Sequence, residues 1–189
     1  MEKNNFLIID ANSLLHRAFH ALPPLSTKKG EPVGAIYGFL LILLRVIKEF
    51  QPSFIAACFD FPAKNFRHQR FEEYKAKRPP LPESLAGQIL KTKEVLKIFE
   101  VPTFEKQGFE ADDIIGTLAK DAKGAETIIV SGDLDALSLV DDQIKVFALR
   151  KGIKNTVLYD AGLVREKYQG LNPEQLVDLR ALRGDASDN

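Results

Sequence analysis

Three short apolar runs of the sequence each end close to an aspartate. The runs and their acids are 6–9 with Asp10, 54–59 with Asp60, and 127–130 with Asp133. Short apolar runs separated by helical patterns are typical of parallel strands that are buried on both faces. In an open parallel sheet, the crevice that binds ligands lies outside the carboxyl ends of the strands. We therefore expect the three aspartates to converge at one edge of the molecule.

Further carboxylates fall where predicted elements begin or end rather than on helix faces. They are Glu110, Asp112, Asp113, Asp135, Asp185 and Asp188. So many acids in one cleft would repel one another strongly unless cations neutralised them. Ligand sets made only of oxygen suit hard divalent cations such as Mg²⁺ or Mn²⁺. Two such ions about 4 Å apart can clamp the attacking and leaving oxygens of an in-line phosphoryl displacement, and this is the chemistry that the acids predict.

Each of these acids also has a purely local interpretation. An acid at a helix N-terminus caps the helix or complements its dipole, and an acid after a strand is often part of a turn. That interpretation suits any one acid taken alone. Three acids at the ends of three strands need a shared cause, which favours the metal site.

Residues 64–80 interleave positively charged and aromatic side chains. If this segment is one helix that Pro79 ends, a single face carries Arg67, Arg70, Phe71, Tyr74, Lys75 and Arg78. Residues 64–93 hold eight Lys or Arg against three acids, whereas residues 108–142 hold nine acids against two lysines. Cations for phosphates and rings for bases suit a single-stranded nucleic acid. The alternative is a solvated amphipathic helix that packs Phe71 and Tyr74 into the core.

The elements that must position these residues alternate between strand and helix. Apolar periodicity predicts helices over 12–21, 34–49, 84–99, 112–122, 160–168 and 173–183, and a weaker strand pair at 144–149 and 155–159. With the three apolar runs, this alternation predicts an α/β fold, in which an open, mostly parallel sheet has helices on both faces. No repeat or long linker divides the 189 residues, so we predict a single domain.

Composition excludes several classes of protein. Lys plus Arg and Asp plus Glu are both 26, so the protein is not a globally basic nucleic-acid coat. Its one cysteine, Cys58, excludes a disulfide framework and a zinc site made of several cysteines. His16 and His20 have the spacing of zinc ligands on a helix, but no glutamate follows His16. The longest apolar run, 33–44, is too short to cross a bilayer, and we expect a cytoplasmic protein with no membrane partner.

Seven motifs of this sequence are similar, in order, to those of a known family. They are Ile8–Ser13, His16–His20, Phe59–Asp60, Tyr74–Arg78, Glu110–Gly116, Ser131–Asp135 and Gly184–Asn189. Together they resemble the 5′–3′ exonuclease domain at the N-terminus of bacterial DNA polymerase I, a flap-endonuclease relative with a PIN-like fold. The resemblance covers nearly the whole chain. It implies a three-layer α/β/α architecture with a mostly parallel central sheet and a helical arch around residues 64–80.

The resemblance also implies two Mg²⁺ or Mn²⁺ ions as cofactors. Their implied ligands are Asp10, Asp60 and Asp112, with Glu110 through water, for the first ion, and Asp112, Asp133, Asp135 and Asp188, with Asp113 and Asp185 as further or outer ligands, for the second. Lys75 and Arg78 would act as catalytic groups at the scissile phosphate, and Tyr74 would stack near the cleaved nucleotide. Arg17, Arg67 and Arg70 would bind the DNA substrate, which carries a 5′ single-stranded flap or a 5′ end.

The end of the sequence bears on domain organisation. In the family, the motif that ends here at Asn189 leads into a helix-hairpin-helix module that grips duplex DNA. We therefore expect residues 1–189 to form the catalytic domain alone, as a monomer that binds flap DNA weakly. The resemblance implies that this module, and in the parent chain a polymerase domain, would follow.

The predicted activity is that of a structure-specific 5′–3′ exonuclease and flap endonuclease. It would hydrolyse DNA by a two-metal mechanism in replication and repair, in the cytoplasm at the nucleoid. Two alternatives stay open. A PIN-like ribonuclease would cleave a matched RNA flap, and a non-catalytic DNA-binding remnant would bind flaps without turnover in either metal.

Overall fold

The computed structural model describes residues 4–184, in which a six-stranded sheet lies between two layers of helices. The strands are β1 (Asn5–Asp10), β2 (Phe54–Cys58), β3 (Thr103–Phe104), β4 (Glu126–Ser131), β5 (Ile144–Lys151) and β6 (Asn155–Tyr159). The helices are α1 (Ala11–Ala21), α2 (Gly34–Phe50), α3 (Phe66–Arg70), α4 (Glu83–Ile98), α5 (Ala111–Asp121), α6 (Ala161–Lys167) and α7 (Leu176–Arg183), with 3₁₀ turns at Asp135–Leu139 and Pro173–Gln175.

The sheet has the strand order β3-β2-β1-β4-β5-β6, and only the pairing of β5 with β6 is antiparallel. Successive residues of β1 are buried on opposite faces, since side chains alternate along a strand. Leu7 and Ile9 pack in the core formed with α1, α2 and α4, whereas Ile8 packs in the core formed with α5, α6 and α7. The predicted α/β fold with three layers and a mostly parallel sheet is therefore confirmed.

The predicted helices and strands agree with the structure to within one or two residues at most ends. Two elements have no counterpart in the prediction. Strand β3 is only two residues long and has no apolar run of its own, and the 3₁₀ turn at Asp135–Leu139 follows a strand where a loop was expected. None of the helices in residues 4–184 combines the length and apolar character needed to cross a membrane.

The continuous helix considered for residues 64–80 does not form. Helix α3 ends at Arg70, because Phe71 takes an extended conformation, and residues 71–78 follow as successive turns. Lys75 lies in the left-handed region with a φ of 55°, where a residue other than glycine needs outside support. The hydrogen bonds that Lys75 and Tyr74 donate to Glu110, which lies elsewhere in the fold, supply that support. Phe71 is 58% exposed, so packing of this ring into the core is wrong as well.

Helices α1 and α2 approach most closely at Gly38. A Cβ atom added there would lie 2.6 Å from Ala18 Cβ and 2.8 Å from Leu22 Cδ1. Real Cβ atoms do not come so close, so the two helices would have to separate.

We expect Gly38→Ala to lower the free energy of unfolding by about 1–3 kcal/mol, because overpacking outweighs the better helix propensity of alanine. Gly87 in α4 is the matched control, since a Cβ there would meet nothing within 4 Å. Gly87→Ala should raise the free energy of unfolding by up to about 1 kcal/mol. Urea denaturation of both variants measures the difference, and equal stabilities would contradict the packing explanation.

Candidate active site

An open cleft of about 570 Å³ lies at the carboxyl ends of the central strands β1, β2 and β4. Its acidic side chains are those of Asp10, Asp60, Glu110, Asp112 and Asp133. Its basic side chains are those of Arg17, Lys75 and Arg78, and His16 and His20 also line it. The three strand-end aspartates thus lie in one cleft, as their positions in the sequence predict.

Asp10 ends β1 and caps the N-terminus of α1. Its carboxylate accepts hydrogen bonds from Ser131 Oγ at 2.6 Å and from the backbone N–H of Ser13 at 3.1 Å. Burial, followed by the negative charge of Asp112, raises the pKa of Asp10 to about 7, and the two serine bonds offset this only in part. The fold therefore holds a carboxyl group at a place where its charged form is poorly stabilised without a cation.

This raised pKa predicts a pH-dependent stability in EDTA. The unfolded chain releases the Asp10 proton near pH 3.8, whereas the folded protein keeps it to about pH 7. Stability must then fall as the pH rises through this window, by on the order of 4 kcal/mol at its upper end.

The measurement is urea unfolding in EDTA between pH 4.5 and pH 8. Asp10→Asn should flatten the profile most above about pH 6, because Asp112 contributes a slope of the same sign only up to about pH 6. Asp121→Asn, at an exposed position of α5, is the control and should keep the slope. An Asp10→Asn profile as steep as that of the wild type would show that Asp10 is not the group responsible.

Asp112 lies in the first turn of α5, beside Asp60 and Asp133. The residue is exposed to the cleft, yet the protein around its carboxylate removes part of its solvation. That loss, followed by repulsion from Asp133 and Asp60, raises the pKa of Asp112 to about 6. Asp60 accepts a hydrogen bond from the backbone N–H of Ala111 at 2.8 Å, which ties the end of β2 to the start of α5.

Glu110 precedes α5 and is held by four side chains. Lys75 Nζ donates to its Oε1 at 2.8 Å, and Tyr74 Oη donates to its Oε2 at 2.9 Å. Asn65 Nδ2 donates to Oε1 at 2.7 Å, and a guanidinium nitrogen of Arg67 lies 3.5 Å from Oε2. Burial opposes ionisation of Glu110, but the bonds from Lys75 and Tyr74 outweigh it, so the pKa lies below its ordinary value.

Two predicted ligands lie near the cleft without lining it. Asp113 accepts two hydrogen bonds from Arg67, each at 2.8 Å, and this guanidinium lowers the pKa of Asp113. Asp135 forms an ion pair with Arg180 of α7. A role for either carboxylate as a ligand requires its arginine to give way to a cation, and it stays a prediction.

Some of the predicted substrate-binding residues line the cleft, and others lie outside it. Arg17, Lys75 and Arg78 line the cleft, and the Arg17 guanidinium donates to the Gly132 carbonyl at 2.6 Å. Tyr74, Arg67 and Arg70 lie just outside it. Tyr74 and Arg67 contact Glu110, and the Arg70 guanidinium lies 5.8 Å from the ring centroid of Phe66.

The donor set of the cleft fits a hard divalent cation, because its acids offer only oxygen and two of them carry raised pKa values. Within residues 4–184, no three His, Cys, Asp or Glu side chains lie close enough together to hold one ion as they stand. Two of the cleft acids already have hydrogen-bond partners, Glu110 with Lys75 and Tyr74, and Asp60 with the Ala111 N–H. Of the predicted ligands, Asp185 and Asp188 lie outside the described residues.

The sequence patterns missed two buried polar residues that hold these acids. Ser131 is 1% exposed and bonds to Asp10, and Asn65 is 4% exposed and bonds to Glu110. Each had a local signal, since Ser131 ends an apolar strand and Asn65 is a good N-cap for α3. Those signals explain the turn and the cap, but not the contact with an acid 45 or more residues away.

Residues 5–169 match the sequence profile of the family described as 5'-3' exonuclease, N-terminal resolvase-like domain. DNA polymerase I of Bacillus subtilis is 42% identical over 190 residues, which cover 100% of this chain and 22% of that protein. DNA polymerase I of Mycobacterium bovis is 44% identical over 191 residues, 99% of this chain and 21% of that protein. The chain therefore spans little more than a fifth of the length of these curated relatives.

Solved structures share the fold. The T5 D15 protein co-crystallised with metal ions superimposes with a TM-score of 0.74 at 22% identity, over 98% of this chain and 69% of that one. A variant of the bacteriophage T5 D15 flap endonuclease, in a pseudo-enzyme-product complex with DNA and metal ions, gives a TM-score of 0.70 at 20% identity, over 98% of this chain and 68% of that one. At these identities the likeness concerns the arrangement of the elements.

Proposed function

Because the chain belongs to the family of 5'-3' exonuclease N-terminal resolvase-like domains, we propose that it hydrolyses phosphodiester bonds near the 5′ ends of DNA as a structure-specific exonuclease and flap endonuclease. The observation that carries this proposal is the composition of the cleft. Five carboxylates at the carboxyl edge of the sheet lie beside Lys75 and Arg78, two cations from the segment after α3. Acids suit metal ions, and cations suit a phosphodiester.

Acids of the cleft would hold the metal ions, and neighbouring hydrogen-bond donors orient two of these acids. Asp10, Asp60, Asp112 and Asp133 would hold two divalent cations, for which we propose Mg²⁺ or Mn²⁺, with Glu110 through water. Such ions, when bound, supply a nucleophilic water and polarise the phosphate. Ser131 orients the Asp10 carboxylate, and the Ala111 N–H orients that of Asp60.

Lys75 and Arg78 would contact the scissile phosphate. As water oxygen bonds to phosphorus and the bond to the 3′ oxygen breaks, negative charge grows on the phosphoryl oxygens and the leaving oxygen. Fixed cations at that position stabilise the transition state more than the ground state. The products are a 5′ phosphate and a 3′ hydroxyl. Arg17 would contact a neighbouring phosphate, and Tyr74 would stack near the cleaved nucleotide.

The likeness to the N-terminal part of DNA polymerase I supports a proposal for the wider role. We propose that the chain acts as a monomeric nuclease module in DNA replication and repair, in the cytoplasm at the nucleoid. In a parent chain as long as the relatives, a helix-hairpin-helix module and a polymerase domain would accompany it. Those modules would supply most of the grip on duplex DNA.

A cleavage assay on a 5′-flap duplex tests the activity. With Mg²⁺ or Mn²⁺ we expect a product cut near the base of the flap, and with EDTA no product. A matched RNA flap is the comparison that identifies a ribonuclease, and it should be cut far more slowly. Binding of the DNA flap without cleavage in either metal would overturn the proposed activity.

A further inference from the structure

A second concavity, of about 300 Å³, lies beside the cleft on the outer side of α5. We call it the outer groove; its lining includes Phe104, Lys106, Phe109, Ile114 and Leu118. Two consecutive residues of α5 show how near the two hollows lie. Asp112 lines the cleft, and Asp113 lines the outer groove.

The side chain of Arg67 contacts both an acid of the cleft and an acid of the outer groove. The Arg67 guanidinium donates twice to Asp113 at 2.8 Å on the groove side and lies 3.5 Å from Glu110 Oε2 on the cleft side. One side chain of the 64–80 segment therefore contacts an acid of each hollow. The segment of residues 64–80, to which Arg67 belongs, borders both hollows.

The outer groove presents aromatic rings to solvent. Phe104 is 39% exposed and Phe109 is 40% exposed, although large apolar side chains are normally buried. Phe66 of α3 extends this surface, because its ring centroid lies 5.9 Å from that of Phe109. The exposed parts of Phe104 and Phe109 offer aromatic surface on which a flat, unpaired base can stack.

The charge of the outer groove is positive once its internal pairs are counted. Its two acids are neutralised, since Lys93 donates to Glu105 at 2.5 Å and Arg67 binds Asp113. Lys106 Nζ lies 5.1 Å from the ring centroid of Phe109, and the Arg70 guanidinium lies 5.8 Å from that of Phe66. No carboxylate within residues 4–184 pairs with either of these cations, which leaves both available to phosphates.

We propose that the outer groove binds the single-stranded 5′ part of the DNA whose scissile phosphate lies in the cleft. Bases would stack on Phe109 and Phe104, and phosphates would bind Lys106 and Arg70. Only a single strand fits this description, because in a duplex the base faces are covered by their neighbours. The inference rests on the proposed function for the identity of the strand, and it adds Lys106, Phe104 and Phe109 as binding residues.

Equilibrium binding in EDTA tests the outer groove without any cleavage. Fluorescence anisotropy compares one DNA duplex with a 12-nucleotide 5′ flap and the same duplex with none. The wild type should bind the flapped duplex more tightly. Phe109→Ala should weaken binding of the flapped duplex about tenfold, because a base loses its stacking partner. Lys106→Gln should reduce this affinity about threefold to fivefold and make the salt dependence shallower by about 0.7.

Two matched controls come from the C-terminal end of α4, one in its last turn and one directly after it. Phe99→Ala removes a ring that is 53% exposed, and Lys97→Gln removes an exposed ammonium; neither residue lines the cleft or the outer groove. In both variants, the flap should increase the affinity for the duplex as much as it does in the wild type. If circular dichroism shows that Phe109→Ala is misfolded, Lys106→Gln decides alone.

The outcomes separate this proposal from the proposed function. A wild type that cleaves flaps with metal, together with groove variants that keep its full flap affinity, would overturn the outer groove and leave the nuclease intact. A wild type that binds the flapped duplex no more tightly than the duplex without a flap would also overturn the proposal for the outer groove. Groove variants that lose flap affinity in a protein that never cleaves would support the groove and contradict the nuclease.

Discussion

Asp112→Asn is expected to lower the rate of 5′-flap cleavage at least about 10³-fold, or roughly 4 kcal/mol of transition-state stabilisation. The carboxylates of Asp133, Asp60 and Glu110 all repel that of Asp112. A cation bound beside Asp112 would therefore be attracted by several negative charges at once. Asparagine has a similar shape but carries no negative charge. The variant should therefore fold, and its metal-free form should melt no lower than the wild type, because the repulsion is relieved.

The measurement is single-turnover cleavage at saturating Mg²⁺, with thermal unfolding in EDTA as the check on folding. Asp121→Asn, at the exposed far end of the same helix, should cleave at the wild-type rate. Asp10→Asn and Asp133→Asn should lose activity to a similar extent. An Asp112→Asn protein with full activity would refute the assignment of the cleft acids to metal.

Lys75→Ala is expected to reduce turnover about 10²-fold while flap affinity changes less than about threefold. The Lys75 ammonium lines the cleft beside Arg78 and bonds to Glu110 at 2.8 Å. In that position it can stabilise charge that develops only in the transition state, which affects kcat more than binding. Direct titration of a flap in EDTA, together with kcat in Mg²⁺, separates the two effects.

Lys77→Ala is the matched control, because this exposed lysine lies two residues away and does not line the cleft. It should lower affinity slightly and leave turnover unchanged. Tyr74→Phe removes the hydrogen bond that the neighbouring residue donates to Glu110 and keeps the Lys75 ammonium, so it tests whether the conformation held by that bond affects turnover. Equal losses of kcat and affinity in Lys75→Ala would indicate that Lys75 only binds the phosphate backbone of the DNA.

Much of the fold could be predicted because hydrophobic periodicity is a local property. The apolar runs that became β1, β2 and β4 are buried on both faces of the sheet, and their pattern admits few other structures. Helix α3 shows where periodicity is insufficient. Its pattern continues to Arg78, but the helix ends at Arg70, where Phe71 is extended, and the next turns are held by bonds from Tyr74 and Lys75 to Glu110, a residue about 35 positions away.

The meeting of Asp10, Asp60 and Asp133 at one edge of the molecule could be predicted from the sequence, since the carboxyl ends of parallel strands must meet there. Which member of each acidic pair enters the cleft depends on tertiary packing. Adjacent positions on a helix point about 100° apart, so Asp112 lines the cleft while Asp113 meets Arg67 in the outer groove. Similarly, Asp135 is held by Arg180. Partners that distant in sequence are brought together by packing, which no local pattern encodes.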